Sequence, residues 1–177
     1  MGCICNAESI NSDNAADIDL IIHGTPQKQF IDAIIPVNVH RVIDGDTIVG
    51  STSVKLYGYP TMNIIERFRL ASIDTPELRS KDPVEKNKAY TAKGVLENVI
   101  SSNGGWCVAH CFGQDSFGRI LATLYTDKCV NINNYILQHP ECGTHKLLYN
   151  ERHFNPSDED IARIKKIGSD IATCLKI

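Results

Sequence analysis

No apolar run in this sequence approaches the roughly 18–20 residues a helix needs to cross a bilayer, so no segment reads as a membrane-spanning helix. Its start has no basic stretch followed by an apolar one, so a classical secretory signal peptide is not expected. Regular cysteine spacing is also missing. The seven cysteines are odd in number and scattered, which points to reduced thiols and an intracellular setting rather than a disulfide framework. There is no internal repeat and no low-complexity tract. Nor is there an excess of basic charge: the net charge of −3 on its own argues against a polyanionic partner. That argument weakens by segment. Residues 1–36 hold five acids and one base, a net of −4, and the remainder holds 17 bases and 16 acids, a net of +1. The acidity sits in a leader, and an enzyme that must release its product needs no strongly basic face.

What is present is a chain of 177 residues, enough for one domain with a proper core and too few for two comfortable ones. Residues 1–24 are polar and irregular. Thr25-Pro26 predicts a short helix running to Ile35, with Thr as N-cap and Pro at the first helical position. The leader is read as residues 1–36 and the folded domain as 37–177. From Val37 the pattern alternates like a half-buried strand through Val42 and breaks at Asp44-Gly45-Asp46. Thr47–Val49, Val54–Tyr57 and Arg67–Ile73 are further strand candidates. Asp82-Pro83-Val84-Glu85 has the form of a capping box opening a helix. Behind it Ala92, Val95, Leu96 and Val99 share one face up to Asn103-Gly104-Gly105. Trp106–Phe112 and Ile120–Tyr125 read as strands, Ile132–Gln138 as a short helix. A last helix beginning near Asn155 to Ser157 buries Ile161, Ile164, Ile171 and Leu175. The fold class is therefore α+β: an OB-fold, five-stranded β-barrel with about three α-helices, an architecture whose open face commonly binds oligonucleotides.

Three segments place acids or arginines at strand ends. They are Ile43-Asp44-Gly45-Asp46-Thr47, Arg69-Leu70-Ala71-Ser72-Ile73-Asp74-Thr75-Pro76-Glu77, and Asp115-Ser116-Phe117-Gly118-Arg119. In the second, Arg69, Ala71 and Ile73 fall on one face by alternation. Pro76 holds Thr75 extended and turns Glu77 back toward the strand end. Singly each segment has a plain reading: a hairpin turn, a solvated arginine, a helix-start loop. Together they hold carboxylates suited to a hard cation, a further carboxylate and two arginines. Phosphodiester hydrolysis asks for those parts: charge neutralisation on phosphate, and a positioned, activated water.

In order and spacing these three segments resemble the signature of the staphylococcal nuclease (thermonuclease) family, over roughly Val37 to Leu175. The resemblance implies a Ca²⁺-dependent nuclease that acts on DNA and RNA with little sequence specificity and leaves 3′-phosphate and 5′-hydroxyl ends. It implies that Asp46, Asp74 and the carbonyl of Thr75 hold the calcium, with Asp44 behind them holding one of the metal's waters. Glu77 then orients or deprotonates the attacking water, and Arg69 and Arg119 grip the phosphate. It also implies that Phe117 and Tyr149 meet the substrate, although Ser116 and Phe117 stand where well-known members carry lysine and tyrosine. A monomer is expected. Related modules that bind RNA without cutting it have lost these acids and arginines, and this chain keeps them.

Other groupings carry less. Cys107 and Cys111 are four apart on a strand, about 13 Å from each other and too far to share a zinc ion. His139, Cys142 and His145 have loop spacing but no fourth ligand. At the start, Gly2 is a candidate for myristoylation and Cys3 and Cys5 for palmitoylation, two signals of the kind stable membrane association requires; Asn6 stands where that signal prefers Ser or Thr.

Overall fold

The computed structural model describes residues 30–54, 60–147, 153 and 155–174. Its centre is a closed barrel of β1 (Ile31–Asp44), β2 (Thr47–Val54), β3 (Met62–Leu70), β5 (Trp106–Gln114) and β6 (Ile120–Tyr125) in the order β1-β2-β3-β6-β5. Neighbours run antiparallel except β3 and β6, which are parallel. Two short strands, β4 (Ile73–Asp74) and β7 (His145–Lys146), pair outside the barrel. Helices α1 (Pro83–Ser102), α2 (Ile132–Leu137) and α3 (Asp158–Cys174) complete an α+β fold.

Burial explains the arrangement. Ile35, Val37, Ile48, Phe68, Leu70, Ile120 and Leu124 fill one core together with Ala92, Leu96 and Ile100 of α1 and Ile132 and Ile136 of α2. A second core lies outside the barrel, where Ile164 and Ile171 of α3 cover Ile34, Val108 and Tyr125. β1 is thus covered on both sides, which is why its residues 33–35 are buried in succession rather than alternately.

This corrects the helix expected from Thr25 to Ile35. Residues Ile31–Ile35 are strand, and β1 begins upstream of Val37; residues 25–29 lie outside the described set. A Thr-Pro start signal is local, whereas the burial of Ile34 depends on α3, more than a hundred residues away. Thr47–Val49 runs on unbroken to Val54, the first residue of the strand expected over Val54–Tyr57, whose residues 55–57 lie outside the described set. Strand Arg67–Ile73 also breaks: β3 stops at Leu70, and Ser72 takes a positive φ of 61° before β4 begins. Arg69, Ala71 and Ile73 accordingly do not share a strand face. Ala71 and Ile73 are buried while Arg69 is partly exposed.

The break is held from below by Asn133 of α2. Its Nδ2 donates to the carbonyls of Ala71 (3.0 Å) and Ala122 (3.2 Å), and its Oδ1 accepts from the Leu124 amide (3.0 Å). Fully buried, this one amide satisfies the backbone where β3 parts from β6. The α1 start differs from a simple capping box. Asp82 caps Val84 N–H (2.9 Å), but Glu85 accepts from Ser80 Oγ, which in turn accepts from Asp82 N–H (3.2 Å). In α3, Ile164 and Ile171 are buried and Ile161 only partly; Leu175 lies outside the described residues.

Candidate active site

The β1–β2 turn places the first acids. Asp44 Oδ1 accepts from Asp46 N–H at 3.2 Å, closing the turn on itself. Gly45 at its tip has no room for a side chain, since a Cβ there would come within 2.7 Å of Ala92 Cβ and 2.9 Å of Thr75 Cγ2. Glycine therefore lets α1 and the β4 exit pack directly on the turn, bringing Asp46 against Thr75.

Asp46 is 5% exposed. Its Oδ2 accepts from Thr75 N–H (2.9 Å), Thr75 Oγ1 (2.8 Å) and Arg69 Nη1 (2.8 Å), and its Oδ1 accepts from Thr47 Oγ1 (3.1 Å). Arg69 Nη2 reaches Asp74 Oδ1, also at 2.8 Å. One guanidinium thus spans two carboxylates, the planar two-pronged geometry that arginine supplies and lysine does not. Burial pushes the Asp46 carboxyl up to about 6, with Asp44 adding to the rise and Arg69 and the Thr75 donors opposing it.

Arg119 joins from the β5–β6 loop. Asp115 fixes that loop by accepting from Phe117 N–H and Arg119 N–H, both at 2.9 Å, and from Arg119 Nε at 2.7 Å. Burial alone would raise the Asp115 carboxyl, but these donors outweigh it and hold it below its ordinary value. Arg119 Nη1 lies 3.4 Å from Thr47 Oγ1, and its guanidinium sits 5.5 Å from the centre of the Phe117 ring. Thr47 links the two halves: its hydroxyl donates to Asp46 and faces Arg119.

The structure therefore joins Asp44, Asp46, Arg69, Asp74, Thr75 and Arg119. Glu77 is exposed just past Thr75-Pro76, and its carbonyl accepts from Ser80 N–H at 3.0 Å. Phe117 stands out at 81% exposure. Tyr149 lies outside the described residues, as do Gly2, Cys3 and Cys5. Four supports were not foreseen. Thr47 and Asp115 sit inside the motifs. Asn133 and His153 do not: His153 Nδ1 pairs with Ser72 Oγ, and its carbonyl accepts from Thr123 Oγ1 at 2.7 Å. β7 adds another brace, with His145 opposite Asp74 and Leu147 N–H on the Ser72 carbonyl at 2.8 Å.

The donor set fits a hard cation. Asp46 and Asp74 converge on a single positive group, and every candidate ligand is oxygen. Among the described residues no group of three His, Cys, Asp or Glu side chains surrounds a common point; Thr75, hydrogen-bonded to Asp46, adds a backbone oxygen to the candidates. His139, Cys142 and His145 do not gather either. Cys142 is fully buried, His139 is half-buried and His145 is exposed. Cys107 and Cys111 are buried free thiols, Cys107 pushed up to about 12 by burial, and so are inert at neutral pH.

Residues 67–166, more than half of the chain, match the family model described as staphylococcal nuclease homologue. A search of curated proteins finds no match. The matched segment contains Arg69, Asp74, Thr75, Glu77 and Arg119. Asp44 and Asp46 lie upstream of it; Asp46 is attached to it by its hydrogen bonds with Thr75 and Arg69, and Asp44 through its bond to the Asp46 N–H.

Proposed function

The chain belongs to the staphylococcal nuclease homologue family, and on that premise we propose that it is a calcium-dependent nuclease cutting DNA and RNA with little sequence preference. The observation that carries this reading is Arg69 bridging buried Asp46 and exposed Asp74, with Arg119 tied to the same cluster through Thr47.

Asp46, Asp74 and the Thr75 carbonyl would hold the calcium ion, leaving positions for a phosphate oxygen and water. When bound, the ion supplies positive charge to the phosphate oxygens and lowers the barrier to attack. Glu77 accepts a proton from, or aligns, the water that attacks phosphorus in line with the 5′ oxygen. The new P–O bond forms as the P–O5′ bond breaks, and the 5′ oxygen leaves with a proton as a hydroxyl, the phosphate staying on the 3′ side. Arg119, and Arg69 once it turns from its bridge between Asp46 and Asp74, donate to the oxygens that gain charge in the five-coordinate transition state, where charge-assisted donors are most effective. Asp115 and Thr47 keep the Arg119 fork aimed, which limits the reorganisation it needs when substrate arrives. Asp44 holds the Asp46 backbone in place.

Digestion of single-stranded DNA and RNA tests this. Cleavage is expected with Ca²⁺, much less with Mg²⁺, whose strict octahedral demand suits so sparse a protein set poorly, and none in excess EDTA. The product 5′ ends should accept label from a polynucleotide kinase without prior phosphatase treatment. Blocked 5′ ends would reverse the assigned direction of bond breaking.

We also propose that the leader associates this nuclease with an intracellular membrane surface through acyl chains on Gly2, Cys3 and Cys5. One chain binds marginally and two bind stably. In a eukaryotic cell Gly2→Ala should move the protein from the membrane to the soluble fraction while leaving calcium-dependent cleavage intact. Identical fractionation of both forms would remove the anchor.

A further inference from the structure

On the outer face of the barrel, register pairing sets Arg41, Val49 and Arg67 side by side: Arg41 lies opposite Val49, and Val49 opposite Arg67. The neighbouring row on that face is the Thr47–Arg69 pair of the candidate active site. Residues two apart on a strand share a face and lie about 7 Å apart, so Arg67 follows Arg69 along β3 by one such step. Both Arg41 and Arg67 are exposed, and neither is among the residues that hold the acid cluster. They line an open groove of about 360 Å³ whose other wall is Phe117, Gly118 and Arg119. Glu66 is the one acid lining it, against three guanidinium groups.

A groove with arginine forks at intervals of one strand step and an exposed aromatic ring at its rim has the chemistry of a single-stranded nucleic-acid track. Forks take phosphates, and the ring stacks an unpaired base irrespective of its identity. We propose that Arg41 and Arg67 extend the substrate site, gripping the phosphate next to the one being cut while Phe117 stacks the intervening base. The inference rests on the nuclease reading. It adds that the enzyme engages more of the strand than the reacting linkage, so that longer single strands gain contacts on β1 and β3 that a dinucleotide lacks.

The test compares wild type with Arg67→Ala and Arg41→Ala/Arg67→Ala on a dinucleotide and on a 12-residue single-stranded DNA. The ratio of kcat/KM for the 12-mer to that for the dinucleotide should fall about tenfold or more in the double variant, since only the longer strand reaches the groove. Binding of the 12-mer, measured in a Glu77→Gln background, should also lose salt dependence. Its slope should become shallower by about 0.7 per phosphate contact removed. Arg67→Lys should recover most of that slope, because a point charge suffices for the counterion effect. An unchanged ratio, or an equal loss on both substrates, would overturn the proposal. If wild type cleaved nothing yet the double variant still lost 12-mer binding and salt slope, the hydrolase reading would fail and the groove would stand.

Discussion

Asp46→Ala is expected to lower single-turnover cleavage by about three decades or more, and to weaken calcium binding by at least about 100-fold. Several effects coincide at this one carboxylate. It is a calcium ligand in the proposed site. It also accepts four hydrogen bonds, from Thr47, Arg69 and both donors of Thr75, so its removal strands those donors and loosens the contact between the β1–β2 turn and the β4 exit. Asp46→Asn separates the two roles, since an amide oxygen still accepts from Thr75 but carries no charge. If charge toward the metal dominates, Asn should be nearly as inactive as Ala. Calcium raises the stability of any protein that binds it only when folded, by about 2.7 kcal/mol at 100 times the dissociation constant. Wild type should therefore melt higher with calcium than without, and both variants should show little rise. A full calcium-dependent rise in either would mean that Asp46 is not a ligand.

At Arg119 the expected change has a different form. Lysine keeps the charge but cannot meet Asp115 through Nε and Thr47 through Nη1 together. If the fork acts on the transition state, Arg119→Lys should lose about two to three decades in kcat, or about 3–4 kcal/mol, with ground-state affinity changed far less. Measured at saturating enzyme in a single turnover, a normal rate with weakened binding would make Arg119 a docking residue. Arg69→Lys should behave similarly in rate and also disturb the acids, since one ammonium cannot span Asp46 and Asp74 as the guanidinium does.

Much of the site was legible because its parts are punctuated by local chemistry. Asp44-Gly45-Asp46 has to turn, Thr75-Pro76 has to be extended, and Asp115 to Arg119 closes a hairpin around Gly118, whose φ is 74°. Barrel strands β5 and β6 announce themselves as short, mostly apolar runs flanking a turn, and helix α1 by periodicity and an Asp-Pro start. The rest depends on partners distant in sequence. Ile31–Ile35 are strand because β5 pairs with them and α3 covers Ile34. The positive φ of Ser72 has no residue signal, since neither glycine nor asparagine stands there. It is stabilised by His153, the β7 pairing and the Asn133 brace, from segments 60 to 80 residues later. Arg41 and Arg67 become a row only once register is known, although counting back two from Arg69 would have singled out Arg67.

The most direct test of the central claim is the single-turnover rate of cleaving a labelled single-stranded oligonucleotide across a calcium titration, with wild type and Glu77→Gln side by side. Wild type should cleave nothing in EDTA, and its rate should rise with calcium to saturation. Glu77→Gln should saturate over the same calcium range at a rate lower by about two decades or more, because its partner is the water and not the metal. Full wild-type cleavage in EDTA, or a Glu77→Gln rate equal to wild type, would contradict the claim.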